Sequence, residues 1–269
     1  MANRLDQIVA QVRRRVSERR DGADVRDLER RAAEHRPRGF RQALRGRAKD
    51  GVAVIAELKK ASPSRGLIRA DFDPGSLARQ MTRAGAAALS VLTEEDFFQG
   101  SLENLKIVSA ASHLPCLRKD FIVDELQIIE ARAYCADAVL LIVAALSPTE
   151  LGRLVQRSSE SELDVLCEVH DEAELTRALD AGCTLIGVNS RDLRSFDVDL
   201  NTAVRVGKLI PKHVVSVAES GIHSGQDIQR LRAEGYQAFL IGELLMKAEK
   251  PGQALRTVLV EARTTVPSF

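Results

Sequence analysis

An excess of charge of either sign is missing from this chain, whose 269 residues carry 39 Lys and Arg against 38 Asp and Glu, a formal net charge of +1. Nonspecific nucleic-acid binding needs basic residues in excess to displace condensed counterions, so that class is excluded and any anion must be gripped locally. Long apolar runs are missing too. The longest, such as Ala138 to Leu146, stop well short of the roughly 18 residues that suggest a membrane span, so no transmembrane helix is expected. Tryptophan is absent and only four cysteines occur. Cys116, Cys135, Cys167 and Cys183 form no CxxC pair and lie in apolar contexts, which predicts neither a zinc site nor a disulfide framework but small core residues in a reducing cytoplasm. His113, His170, His213 and His223 show no HExxH spacing, so no metal is expected and His170 reads as a loop residue. The first twenty residues interleave Asp6 and Glu18 with arginines and lack an apolar stretch before a small-residue cleavage site, so no export signal is read there.

What is present divides the chain in two. Residues 1–50 are dense in Arg, Asp and Glu; Leu5, Ile8, Val9, Val12 and Val16 recur at helical spacing, and a second helix is expected over residues 25–35. This extension must dock its apolar stripe on something. From residue 51 to 269, short β-branched segments alternate with amphipathic ones. Strands are predicted over 52–59, 88–93, 116–122, 138–146, 164–170, 185–190, 214–220 and 238–242. Helix starts are marked by Asp73-Pro74, Ser101, Ser147-Pro148, Asp171 and Ser224, and helix ends by Gly85, Gly182 and Gly235. Strands separated by helices pair in parallel through crossovers, and eight such units predict an α/β fold of the (β/α)8 barrel type. A doubly wound open sheet is the rival, but no GxGxxG opens the first unit.

In such a barrel the chemistry lies at the C-terminal ends of the strands. Glu57 and Lys59 end the first strand two residues apart and so share a side; Lys119 and Phe121 repeat the spacing in the third. Glu168 is in the fifth, Asn189 and Arg191 end the sixth, and Glu219 and Ser220 end the seventh. One such charge could be a solvated strand end. Several in otherwise apolar strands need one another or a ligand, because a buried unpaired charge costs several kcal/mol. Structural ion pairing without catalysis is the competing explanation. Ser220-Gly221 and Gly242-Glu243 fall in the two loops where barrels of this class commonly hold phosphate on backbone N–H groups, and Ser62-Pro63-Ser64-Arg65-Gly66 reads as a flexible loop with hydroxyl and guanidinium donors.

The segments Ala56-Glu57-Leu58-Lys59-Lys60-Ala61-Ser62-Pro63-Ser64, Leu92-Thr93-Glu94-Glu95-Asp96-Phe97-Phe98-Gln99-Gly100-Ser101, Leu117-Arg118-Lys119-Asp120-Phe121-Ile122, Gly187-Val188-Asn189-Ser190-Arg191-Asp192-Leu193 and Ala218-Glu219-Ser220-Gly221-Ile222, in this order, resemble the indole-3-glycerol phosphate synthase family. The resemblance runs from about residue 4 to 262. It implies a tryptophan-pathway lyase that closes, decarboxylates and dehydrates 1-(2-carboxyphenylamino)-1-deoxyribulose 5-phosphate. By motif match Lys119 is the acid of ring closure, Lys59 holds the substrate carboxylate or acts as a second acid, and Glu57 and Glu168 serve proton transfer and stabilise an iminium-like intermediate. Ser62, Asn189, Arg191, Glu219 and Ser220 match substrate-positioning residues, Phe121 and Leu140 the apolar wall, and Gly221, Gly242 and Glu243 the phosphate corner. The resemblance implies no metal or organic cofactor, and the expected partner is a phosphorylated small molecule, bound by a monomer or weak homodimer.

Two departures stand out. Glu243 replaces a serine found in some members, and its carboxylate is expected to point away from the phosphate. Glu125-Leu126-Gln127 stands where a Pro-Tyr pair is usual, a change expected to affect a helix start and not the lumen. A phosphoribosylanthranilate isomerase would show a Cys/Asp acid-base pair in place of the two lysines, and a noncatalytic barrel would be expected to lack some of Lys119, Glu57 and Glu168.

Overall fold

The computed structural model describes residues 4–192 and 197–263. Leu193 of the motif above and the last six residues lie outside them. Eight parallel strands close into a barrel in chain order: β1 (Ala53–Leu58), β2 (Ala88–Leu92), β3 (Cys116–Lys119), β4 (Ala138–Ile142), β5 (Asp164–Val169), β6 (Leu185–Asn189), β7 (Val215–Glu219) and β8 (Ala238–Ile241), with β1 pairing both β2 and β8. Their sequences are nearly continuous apolar runs because lumen and helix layer bury both faces.

The crossover helices begin where the sequence signals place them. Asp73, Ser101, Ser147, Asp171 and Ser224 each cap a helix N-terminus by accepting a backbone N–H, and Ser147 and Ser224 form capping boxes. Gly85, Gly182 and Gly235 take the left-handed conformation just beyond helix ends. These helices are α4 (Pro74–Ala84), α5 (Leu102–Ala111), α6 (Glu125–Ala133), α7 (Pro148–Glu160), α8 (Glu172–Asp180), α9 (Leu200–Gly207), α10 (Gly225–Ala233), the short α11 (Glu243–Lys247) and α12 (Pro251–Glu261).

Two strands stop three or more residues before their expected ends. The third stops at Lys119 and not at residue 122, because the Asp120 carboxylate accepts from Phe121 N at 2.9 Å, from Thr93 Oγ1 at 2.6 Å and from the Arg118 guanidinium, turning the chain out of the ladder. The fourth stops at Ile142 and passes into a 3-10 turn, Val143–Ala145.

The extension holds three helices, α1 (Arg4–Gly22), α2 (Val25–Glu34) and α3 (Phe40–Asp50), and they go to different places. From α1, Arg15 and Arg19 pair with Glu94 and Glu95 after β2, Arg20 with Asp124 after β3, and Arg13 with Glu150 at the start of α7. All four partners lie on the C-terminal face. α2 packs along α6, and Arg31 stacks 4.4 Å above the Tyr134 ring. α3 closes the opposite end: Phe40 and Leu44 are fully buried, and Arg41 N donates to Asp164 at the start of β5. One stretch of chain thus spans both ends of the barrel.

The cysteine expectation needs correcting. The crossover through α8 brings Cys167 of β5 beside Cys183, with Cα atoms 6.5 Å apart, as a disulfide, while Cys116 and Cys135 are free. Fifteen intervening residues conceal that contact in the sequence. Among the described residues no helix is long and apolar enough to cross a membrane.

Candidate active site

Inside the C-terminal mouth, Lys119 Nζ lies 3.1 Å from Glu168 Oε2 and 3.7 Å from Glu219 Oε2, and Lys59 Nζ lies 2.5 Å from Glu57 Oε1. Glu57, Glu168 and Glu219 are all buried. Space for these carboxylates comes from glycines on neighbouring strands. A Cβ at Gly187, opposite Glu168 in the β5–β6 register, would lie 2.0 Å from Glu219 Oε1, and one at Gly242 would lie 2.7 Å from Glu57 Oε1. Only glycine leaves room for either side chain.

Charge separates the groups. Burial disfavours the Lys119 cation, but Glu168, Glu219 and Glu57 outweigh it and raise the ammonium pKa. Burial likewise opposes ionisation of Glu168, yet Lys119, His170 and Asn189 hold its pKa below the usual range. Glu219, pushed up by burial and by the Glu168 charge, reaches about 8. Two carboxylates facing one lysine are thereby made unequal, the arrangement from which acid and base roles arise.

Above these groups opens a cavity lined by Lys59, Ser62, Lys119, Phe121 and Leu140, and further by Glu168, Asn189, Arg191, Ser220 and Glu243. Phe121, just beyond β3, and Leu140 of β4 form an apolar wall, which Phe98 extends with its ring 6.3 Å from that of Phe121. A second cavity of about 350 Å³ adjoins it, lined by Gly221 and Gly242 and sharing Lys59, Arg191, Ser220 and Glu243. Ser220 and Gly221 both have positive φ, 66° and 74°, so this backbone turns in a manner glycine favours. Glu57 and Glu219 line neither cavity but lie against residues that do. All fourteen residues singled out in the sequence therefore converge on one face.

Two expectations about this site change. Glu243 does not point away: its carboxylate lies 3.1 Å from Arg65 Nε, 3.7 Å from the Arg191 guanidinium and 2.6 Å from Lys247 Nζ, and burial notwithstanding, Lys247, Arg65 and Arg191 keep its pKa low. Nor is the change at residues 125–127 remote from the site. Gln127 accepts from Val123 N and donates to Phe121 O, so it fixes the loop that carries Phe121 of the apolar wall. At the base of the loop over residues 62–66, Ala61–Ser62 pairs antiparallel with Gly66–Leu67, and Arg65 reaches Glu243. Sequence reasoning missed Gly187, Phe98 and Gln127. A glycine inside a β-branched strand was the available signal for the first, marking a place where a neighbour approaches closely. Among the described residues no three His, Cys, Asp or Glu side chains are grouped to hold a metal ion.

A closed (β/α)8 barrel whose mouth combines two lysines, three buried carboxylates, an aromatic wall and a glycine-lined corner defines an enzyme that moves protons on an anionic, part-aromatic small molecule. The comparisons narrow the class. A profile of the family "Indole-3-glycerol phosphate synthase" matches residues 5–258. An indole-3-glycerol phosphate synthase of Koribacter versatilis is 56% identical over 259 residues, 96% of this chain and 100% of that protein, and one of Acinetobacter baylyi is 48% identical over 253 residues, 93% of each. Solved structures of a 3-hexulose-6-phosphate synthase and of a thiamine phosphate pyrophosphorylase from Pyrococcus furiosus share the barrel alone. Their TM-scores are 0.63 and 0.60 at 14% and 17% identity, over 78% and 80% of this chain and 99% and 96% of theirs. The chain belongs to the indole-3-glycerol phosphate synthase family, carboxy-lyases of tryptophan biosynthesis.

Proposed function

We propose that this chain converts 1-(2-carboxyphenylamino)-1-deoxyribulose 5-phosphate to indole-3-glycerol phosphate, carbon dioxide and water. The observation that carries the reading is Lys119, a buried ammonium set among Glu168, Glu219 and Glu57 at the floor of a cavity with one aromatic wall. Ring closure makes the aromatic carbon attack the ketone and leaves charge on its oxygen, and Lys119 delivers the proton that the oxygen needs. Lys59, poised by Glu57, holds the carboxylate that departs or serves as a second acid. Loss of carbon dioxide discharges the iminium-like cation, which Glu57 and Glu168 stabilise until then. Dehydration follows, with an acid at the departing hydroxyl and a carboxylate taking the ring proton. Phe121 and Leu140 pack the anthranilate ring; Ser62, Asn189, Arg191, Glu219 and Ser220 orient the chain of the substrate. The phosphate sits against the N–H groups near Gly221, Gly242 and Glu243, where Arg65 and Arg191 supply charge. Appearance of indole fluorescence on mixing protein with the substrate, without added metal, tests the whole reading, and the absence of tryptophan keeps the protein background low.

The same reading takes residues 1–50 as an extension and 51–269 as the catalytic barrel, since β1 opens at Ala53 directly after α3. Cytoplasmic placement is supported by the biosynthetic family to which the chain belongs. A monomer or weak homodimer is supported by the exposed large apolar side chains, which among the described residues occur singly on separate segments.

Gly221→Val tests the phosphate corner. The residue has φ of 74°, and a Cβ there meets Val198 Cγ1 at 2.8 Å and Leu200 Cδ2 at 3.0 Å, so the loop must shift. KM is expected to rise about tenfold, equivalent to about 1.4 kcal/mol, with inorganic phosphate losing potency as a competitor in parallel. An unchanged KM in a folded variant removes the phosphate from this corner.

The extension is proposed to cover the mouth through α1 only. Deleting residues 1–45 would also remove Phe40 and Leu44 from the far end of the barrel, so the informative truncation is residues 1–23. It is expected to leave a cooperatively melting barrel with raised KM and lowered kcat, because a cover excludes water and completes the site. Wild-type kinetics from that truncated protein would reduce α1 to a surface helix.

A further inference from the structure

His170 follows β5 at the edge of the mouth and is largely buried, with its side chain 13% exposed. Its backbone N–H donates to Glu174 Oε2 at 2.8 Å, and its Nδ1 lies 3.0 Å from the same oxygen. Glu174 is an acceptor only, so Nδ1 carries a proton. The other ring nitrogen, Nε2, lies 3.5 Å from Glu168 Oε1, and both of these buried atoms lack any aligned hydrogen-bond partner. Were His170 neutral and Glu168 ionised, two lone pairs would face each other across that gap. One proton between them removes the conflict, and where Nε2 carries it the imidazole is a cation.

A charge count gives the consequence. Glu57, Glu168 and Glu219 face Lys59 and Lys119, so the mouth has one carboxylate more than it has lysines. One of the three carboxyls therefore keeps a proton, and the carboxyl with a further cation beside it is not that one. We infer that His170 is a positioning residue for the proposed reaction: Glu174 holds its ring so that Nε2–H faces Glu168 Oε1, keeping Glu168 a carboxylate and leaving Glu219 as the group that keeps a proton. Beside the closer approach of Lys119 to Glu168, part of the asymmetry between the two carboxyls then originates outside the lumen, on α8. Burial lowers the His170 pKa, but Glu174, Glu168 and Asp192 outweigh it and raise it above the ordinary value, in keeping with this geometry. The other groups on this side are Asp171, Asp197, Asp199 and Arg205, which line a cavity of about 350 Å³ together with His170. Arg205 is itself paired with Glu172.

The inference rests on Glu168 acting as a carboxylate, and the test separates the two. In wild type, kcat/KM falls on the acid side as Glu168 takes a proton. His170→Gln is expected to move that limb to higher pH by about one unit, about tenfold in rate on the limb, with less than about threefold loss on the plateau. Glu174→Gln moves it the same way by less. His170 observed by NMR is expected to titrate above about 6.5 in wild type and closer to it in Glu168→Gln. An unmoved limb in His170→Gln, a uniform loss at every pH with a lowered Tm, or a His170 that titrates at or below the free imidazole value overturns the inference while Glu168 keeps its role. A Glu168→Gln protein that retains both the limb and full turnover removes that role, and the inference falls with it.

Discussion

Replacing Lys119 with alanine is expected to lower kcat by about 10²- to 10⁴-fold, the usual contribution of a general acid, with KM changed far less. Lys119 makes its close contacts with Glu168 and Glu219 and lines only part of the cavity, whose aromatic wall and phosphate corner stay intact. Its proton matters when charge reaches the ketone oxygen, so the loss belongs to the transition state and appears in kcat. Removing the ammonium also leaves Glu168 and Glu219 facing each other without it, which makes ionisation of both harder still. Lys119→Met, which keeps the stem and removes the charge, should be as inactive as the alanine variant. Steady-state kinetics on both, with a melt to confirm folding, decide the matter: a variant within tenfold of wild-type kcat takes ring-closure acid away from Lys119.

The second large effect is expected on stability, at the opposite end of the barrel. Asp137, wholly buried just before β4, accepts from Arg38 N at 2.7 Å, from the Arg38 guanidinium through both oxygens, and from Cys116 N at 2.6 Å; His35 Nε2 stands 3.3 Å away. These contacts tie the segment between α2 and α3 to the barrel. Asp137→Asn puts an amide N–H₂ among donors and leaves Arg38 without its counter-charge, which costs about 3–5 kcal/mol for a buried pair broken on one side. For a chain of this size that lowers Tm by roughly 10 °C. Activity per folded molecule should hold, because the cluster lies away from the mouth. A Tm within about 2 °C of wild type would show the staple to be dispensable.

The same cluster sets a pH window. Burial raises the Asp137 pKa, but the His35 and Arg38 contacts bring it below its usual value, so its contribution is present above the unfolded carboxylate range and lost as pH falls through the folded value. Burial would lower the His35 pKa, but contacts with Asp137 and Cys135 lift it to about 9. That contribution is full below about 6.5 and lost as pH rises through about 9.

Much of the barrel was legible in the chain itself. Strand and helix periodicities are local properties, and caps such as Ser147 and end glycines such as Gly182 act within a turn of where they stand, so their residues suffice to place them. The polar strand ends were legible for a related reason: a parallel barrel sends every strand's C-terminus to one face, so Glu57, Lys119, Glu168 and Glu219 must meet. Tertiary structure alone decided the rest. Cys167 meets Cys183, Glu243 turns toward Arg65 and Arg191, His170 stands behind Glu168, and one extension sends α1 to the mouth and α3 to the far end. Each depends on which rotamer or helix face a distant neighbour leaves room for, as Gly187 does for Glu219. Periodicity places a residue on a face, but only packing between segments far apart in the chain determines what that face meets.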